Sequence, residues 1–311
     1  MEKVVVTGAN GFIGKTLLQL LNQYGIQTYA IIRNESSNIE SISNLDHVRI
    51  VYCDMENIVS LPQKIKDKID VFYHLAWNGS TGNARSNYAV QLQNVKWTVD
   101  AVSAAAALGC NRFVGAGTLA EQDINAYIPL DGSVPNPVSC YGSAKLAAHY
   151  MSKAECSKYE SIAHCWAYLS NTYGIGNYTS NFVNFAAKVM LTGQPANFTA
   201  GEQLYDFVAV EDTIQGLYCI GEKGKPNTAY YIGSNHPTKL KNFIEEIRDQ
   251  IDPNIVLNLG AVPFHGISQP ESVFDCTKLM RDTGYSPKIS FKQGLQETVP
   301  WIKKQIQLGK L

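Results

Sequence analysis

Six short runs rich in β-branched residues recur along the first half of the chain, each followed by a stretch whose apolar residues return every three or four positions. The runs are 3–7 (KVVVT), 26–33 (IQTYAIIR), 48–54 (VRIVYCD), 71–76 (VFYHLA), 111–116 (NRFVGA) and 162–169 (IAHCWAYL). Between them, 87–108 (NYAVQLQNVKWTVDAVSAAAAL) and 139–159 carry the helical period, and their alanines favour helix. Strands that are hydrophobic almost throughout, alternating with helices, predict six parallel strands in one sheet covered on both faces. That is a doubly wound α/β fold. After about residue 172 the rhythm breaks into helices and short strands rich in Gly, Pro and Asn. Residues 1–171 are therefore expected to form the main domain and 172–311 mainly a smaller α/β substrate lobe, with some segments returning to the first. Ligand is expected at the carboxyl ends of the strands.

Composition excludes several classes of function. At 311 residues and 45% hydrophobic the chain can bury a large core. Its 26 basic and 27 acidic residues leave a net charge of −1, so no polyanion-binding surface and no nucleic acid partner are expected. No apolar run approaches the roughly 20 residues that span a bilayer, so no membrane segment is expected. The chain opens on MEKVVVTG, without a charged leader and cleavage site, and its seven cysteines form no Cys-x-x-Cys pair or Cys/His cluster at zinc spacing. Reduced thiols in cytoplasm and no metal are the expectation.

The stretch VVVTGANGFIGKTLLQLL sets Gly8, Gly11 and Gly14 between a strand and an amphipathic helix. The spacing is Gly-x-x-Gly-x-x-Gly, one residue wider in its first gap than the common Rossmann fingerprint. Glycines there allow the tight turn, the approach of backbone to a pyrophosphate and the close packing of helix on strand, while the helix N-terminus presents free N–H groups to the phosphates. A dinucleotide is therefore expected. An NAD site usually ends its second strand with an acid that bonds the ribose 2′-OH. Here the strand ends AIIRNESSN, and Arg33 stands where that acid would exclude a 2′-phosphate, with Ser36 and Ser37 as further donors and Glu35 as an opposing charge. NADP(H) is favoured over NAD(H). Asp54, closing the third strand, suits an adenine amino group or a helix cap.

With TGANGFIG, HLAW at 74–77, NVKWT at 94–98 and YGSAK at 141–145 in this order, the chain resembles an extended short-chain dehydrogenase/reductase over essentially its whole length. Within that superfamily it is most similar to the epimerase/dehydratase branch that acts on nucleotide-linked sugars, and GAGTLAEQD resembles the CDP-4-keto-6-deoxysugar reductases. A bare Tyr-x-x-x-Lys is expected about once by chance in a chain this long. At i and i+4 on a helix beside the nicotinamide, however, Lys145 can hold its ammonium near the Tyr141 hydroxyl. The resemblance implies that Thr118, Tyr141 and Lys145 are catalytic, with Lys145 also bonding the nicotinamide ribose. It implies cofactor contacts from Gly8, Gly11, Phe12, Ile13, Gly14, Arg33, Asp54, Met55, Leu75, Ala76, Asn94, Tyr141 and Lys145. Substrate contacts fall to Trp77, Arg85, Thr118 and Asn171, whereas His74 is expected to pack within the sheet.

Sugar dehydratases of this branch follow the threonine with Asp and Glu; here Leu119 and Ala120 occupy those places, which argues against dehydration. NADPH-dependent reduction of a keto group on a nucleotide-linked sugar is the leading expectation. The alternatives are an epimerase with tightly bound NAD, a reductase of a small carbonyl compound, and a non-catalytic NADP-binding sensor. NTYGIGN at 171–177 and GEQLYDFVAVED at 201–212 resemble segments of the family's substrate lobe, but Tyr168 and Tyr205 replace two arginines, one of which clamps the diphosphate. Arg85, Lys188 and Arg281 are the cations available to replace them. A homodimer is also implied, through helices 87–108 and 139–159, whose alanine-rich faces would allow close approach.

Overall fold

Val4, Val5 and Val6 of the first strand, β1 (Lys3–Thr7), are fully buried, as a central strand covered on both faces requires. The computed structural model describes residues 1–33, 39–129, 132 and 134–311; Glu35, Ser36 and Ser37 lie outside them. The chain divides into two compact units.

The first unit comprises Met1–Leu169, Ile214–Ile232 and Thr277–Tyr285. After β1 come α1 (Phe12–Gln23), β2 (Gln27–Ile32), β3 (Val48–Tyr52), α2 (Leu61–Lys64), β4 (Val71–His74), α3 (Tyr88–Ala107), β5 (Arg112–Thr118), α4 (Ala120–Tyr127), α5 (Ser139–Cys156) and β6 (Ala163–Leu169). The sheet is parallel and runs in the order Thr228–Ile232, β6, β5, β4, β1, β2, β3. Seven strands are present where the sequence pattern predicts six, because Thr228–Ile232 returns to pair with β6. The order reverses between β1 and β4, and Thr7 pairs with His74 at their carboxyl ends. Such a switch point opens a crevice in a doubly wound sheet.

Helix α1 buries Gly14, Leu17, Leu18 and Leu21, one stripe of a 3.6-residue period, against the sheet. On α5 the inward stripe is Tyr141, Lys145, His149, Ser152 and Cys156, polar groups on a face that would otherwise be apolar. Helix α3 turns Ala101, Ala104 and Ala105 into the core with Phe72 and Phe113, so these alanines are already covered within the unit. The large apolar residues that these two helices leave exposed are Tyr88 and Leu92 on α3, and Tyr150 and Met151 on α5.

The second unit comprises Ser170–Thr213, Gly233–Cys276 and Ser286–Leu311. Three two-stranded pieces, Asn171–Tyr173 with Phe207–Ala209, Leu204–Tyr205 with Thr238–Lys239 and Ala196–Phe198 with Leu257–Leu259, accompany helices Phe182–Leu191, Leu240–Ile251 and Phe291–Gln307. An aromatic core of Tyr173, Phe198, Phe207, Phe243 and Phe291 holds it together. Among the described residues, no helix is long and apolar enough to cross a membrane.

Candidate active site

The turn from β1 to α1 is shaped by its glycines. Gly8 has φ +65°, and a Cβ there would sit 2.8 Å from the Ala76 nitrogen; one on Gly14 would sit 2.2 Å from the Gly8 carbonyl oxygen. Any larger residue would push helix, turn and β4 apart. Gly11 is the extended N-cap of α1 and offers no side-chain cap, and Phe12, Ile13 and Gly14 form the first turn. The N-terminus of α1 thus keeps donors for a phosphate group, and a dinucleotide fits this cradle. Thr7 fixes the opposite wall: its hydroxyl oxygen accepts from the backbone N–H groups of Leu75 and Ala76, both at 3.2 Å, and lies 3.0 Å from His74 Nδ1. Thr98 Oγ1 is 3.2 Å from His74 Nε2, and burial, reinforced by the Lys145 charge, pushes the imidazole down to about 3. His74 is therefore a neutral packing residue.

Arg33 is exposed directly after β2. Asp54 occupies the N-cap position of the turn Met55–Ser60 without capping it, and Met55 packs partly against the core. Asn94 is buried with its amide fully engaged: Oδ1 accepts from the Asn78 N–H at 2.8 Å, and Nδ2 donates to the carbonyls of Asn78 and Val90. It shapes the loop after β4.

Four of the expected site residues come together at the carboxyl ends of β4 and β5. Tyr141 is buried on α5, and the Thr118 side chain at the end of β5 is close enough to act on its phenol. The Trp77 ring meets the Tyr141 ring edge-on at 6.0 Å, and its indole N–H donates to Gln91. The Arg85 guanidinium carbon stands 4.4 Å from the centre of the Tyr141 ring, with Nε buried and without a hydrogen-bond partner. Burial pushes the Tyr141 phenol above its ordinary value; the Thr118 hydrogen bond and the Arg85 charge oppose this, and the Glu121 charge adds to it.

Lys145 departs from the sequence expectation. Its ammonium bonds the Ala116 carbonyl at 2.6 Å and lies 3.8 Å over the Trp77 ring, and Arg85 is the cation that acts on Tyr141. A buried ammonium has to find acceptors, and a strand-end carbonyl and an aromatic face are within its reach. Burial pulls Lys145 down to about 7, with the Glu121 charge opposing.

Asn171 bonds the Asp206 carbonyl in the second unit. Tyr168 lies 3.2 Å from His149 Nδ1, Tyr205 is in a short strand, Lys188 is exposed, and Arg281 pairs with Asp282. Sequence reasoning passed over Glu121, which is fully buried behind Thr118. Its signal was Thr-x-x-Glu at a strand-to-helix junction, the spacing of a capping box.

The model of a family described as the NAD dependent epimerase/dehydratase family matches residues 4–233. A CDP-abequose synthase of Salmonella typhimurium is 25% identical, covering 95% of this chain and 97% of that protein. A dTDP-glucose 4,6-dehydratase of Haemophilus influenzae is 24% identical, covering 97% and 98%. Among solved structures, a UDP-glucose 4-epimerase of Thermotoga maritima superposes with a TM-score of 0.80 at 20% identity, covering 98% of this chain and 99% of that one. At that identity the likeness speaks for the fold alone.

Proposed function

Because the chain belongs to the NAD-dependent epimerase/dehydratase family, we propose that it reduces a keto group on a nucleotide-linked 4-keto-6-deoxy sugar with NADPH. The observation that carries this reading is the Tyr141 phenol, buried beside Thr118 and kept protonated by that burial. A reductase needs an acid in place at that point. When bound, the nicotinamide supplies a hydride to the ketone carbon. Tyr141 gives its proton to the ketone oxygen, so that an alcohol leaves. Thr118 hydrogen-bonds the same oxygen as charge gathers on it, and Arg85, over the ring, stabilises the phenolate that remains. Leu119 and Ala120 supply neither acid nor base for removing water. The similarity to a CDP-abequose synthase supports a nucleotide-linked sugar as substrate.

The test is to offer NADPH with CDP-linked and dTDP-linked 4-keto-6-deoxy sugars, and with a small carbonyl compound. Oxidation of one NADPH per keto group lost from a sugar nucleotide is the expected result. Interconversion of sugars without net NADPH consumption would make the protein an epimerase, turnover of the small carbonyl alone would replace the substrate, and binding without turnover would make it a sensor.

Arg33, with no acid beside it among the described residues at the end of β2, supports NADP(H) over NAD(H). Fluorescence titration should find NADPH the tighter ligand, and Arg33→Ala should weaken it by roughly tenfold to a hundredfold while leaving NADH unchanged, the scale of one charge-assisted contact. NADH binding as tight as NADPH in the parent would reverse the assignment.

The exposed residues Tyr88 and Leu92 on α3 and Tyr150 and Met151 on α5, two helices packed against each other, support a homodimer through this face. Sedimentation at micromolar concentration should give twice the chain mass, and Leu92→Glu with Met151→Glu should give the monomer. A monomeric parent would refute the assembly.

A further inference from the structure

Glu121 takes no part in the chemistry above, yet it is fully buried beside the residues that do. The backbone N–H of Thr118 donates to its Oε1 at 2.9 Å, and the Trp166 indole N–H donates to Oε1 and Oε2 at 3.1 and 3.2 Å. His149 Nδ1 lies 3.6 Å from Oε2, and its ring stacks on Trp166 at 4.8 Å. A Cβ on Gly117 would come within 2.2 Å of the Trp166 indole nitrogen and 2.7 Å of Glu121 Oε1, so the glycine before Thr118 makes room for this bond. A carboxylate in such a place costs the fold several kcal/mol unless donors and an opposite charge offset it. The donors are Thr118 and Trp166. Two groups can oppose it: His149 at 3.6 Å, and Lys145, which is buried, feels the Glu121 charge, and has a carbonyl and an aromatic face for partners with no carboxylate bonded to it among the described residues.

We propose that Glu121 is a positioning residue of the Thr118, Tyr141 and Lys145 group, holding Thr118 by its backbone and serving as the buried countercharge of Lys145. This rests on the reductase reading. The groups that act on Lys145 are His74 from β4, Trp77 from the loop after it and Glu121 from α4. Those around Glu121 are His149 from α5 and His164, Trp166 and Tyr168 from β6. Burial holds His74 and His164 down at about 3 and pushes Tyr168 up, so none of the three carries charge near neutral pH.

The sign of the effect follows. Burial pulls Lys145 down and Glu121 opposes it. Without the carboxylate charge Lys145 loses its proton at lower pH, and Tyr141, which the same charge pushes up, also loses its proton at lower pH. Both changes move the alkaline limb of log(kcat/KM) downward, by about one pH unit for an opposite charge at this range. Glu121→Gln should show that shift together with a lower kcat, while Glu121→Asp keeps the charge and with it the parental limb. Glu121→Met, close in size and without a charge, should show the same shift, and serves as the readout should Glu121→Gln not fold. A parental limb in Glu121→Gln, or in Glu121→Met where that variant stands in, overturns the proposal. The parent and Tyr141→Phe are run alongside: if both are equally active, the reductase reading falls and this proposal with it. If Tyr141→Phe is inactive and Glu121→Gln keeps the parental limb, the countercharge alone is wrong.

Discussion

Tyr141→Phe is expected to lower turnover by roughly a thousandfold, the loss that accompanies removal of a positioned acid, with NADPH binding unchanged. The substitution deletes one oxygen and keeps the ring. Phenylalanine can hold the edge-on contact to Trp77 and lie under the Arg85 guanidinium, so the site keeps its shape and the fold its packing. What disappears is the transferable proton beside Thr118. Initial rates from NADPH absorbance, paired with a cofactor titration, separate the two consequences. Near-parental turnover would remove Tyr141 from the mechanism and leave YGSAK as a piece of helix that happens to lie beside Thr118.

Lys145→Met is expected to stabilise the protein while disabling it. Burial lowers the lysine to about 7, against an ordinary value of about 10.4 in the unfolded chain. Between those two values the unfolded chain binds more protons than the folded one, so parental stability rises with pH through that window. Below about 7 both states are protonated and the full penalty stands, on the order of 4 kcal/mol. Methionine fills similar space without a charge, and the lowered value already counts the attraction of Glu121, so the variant should melt higher near neutral pH and should lose the parental rise in stability above it. Turnover and NADPH affinity should both fall, because the ammonium is the group assigned to the ribose. Calorimetry across pH with matched kinetics checks the pair of effects. A destabilised Lys145→Met would show that the ammonium is better accommodated than its burial implies, and full activity would remove it from the site.

Much of the molecule was legible in local pattern. The buried valines of β1, the leucine stripe of α1 and the spacing of Gly8, Gly11 and Gly14 depend on residues close in sequence, and periodicity reports such relations directly. The same holds for Tyr141 and Lys145 on one face of α5 and for Thr118 at the end of β5. The doubly wound sheet follows from the alternation alone, since strands apolar on both faces have to be covered twice.

Tertiary structure decided the rest, because those features depend on partners distant in sequence. Thr228–Ile232 is a short run like many others, and only pairing with β6 makes it the seventh strand. The alanines of α3 suit a helix crossing or a core equally well until Phe72 and Phe113 close over them. Helical spacing puts Lys145 beside Tyr141, but burial sends its ammonium to the Ala116 carbonyl and the Trp77 ring. Nothing local marks Glu121 as buried, and only Trp166, 45 residues later, gives its carboxylate a donor inside the fold. Sequence by itself determined the alternation behind the sheet, the glycine turn after β1 and the place of Tyr141 on α5. Which charges surround Tyr141 was decided by folding, since the energy of a buried charge depends on every group that packs against it, wherever in the chain that group began.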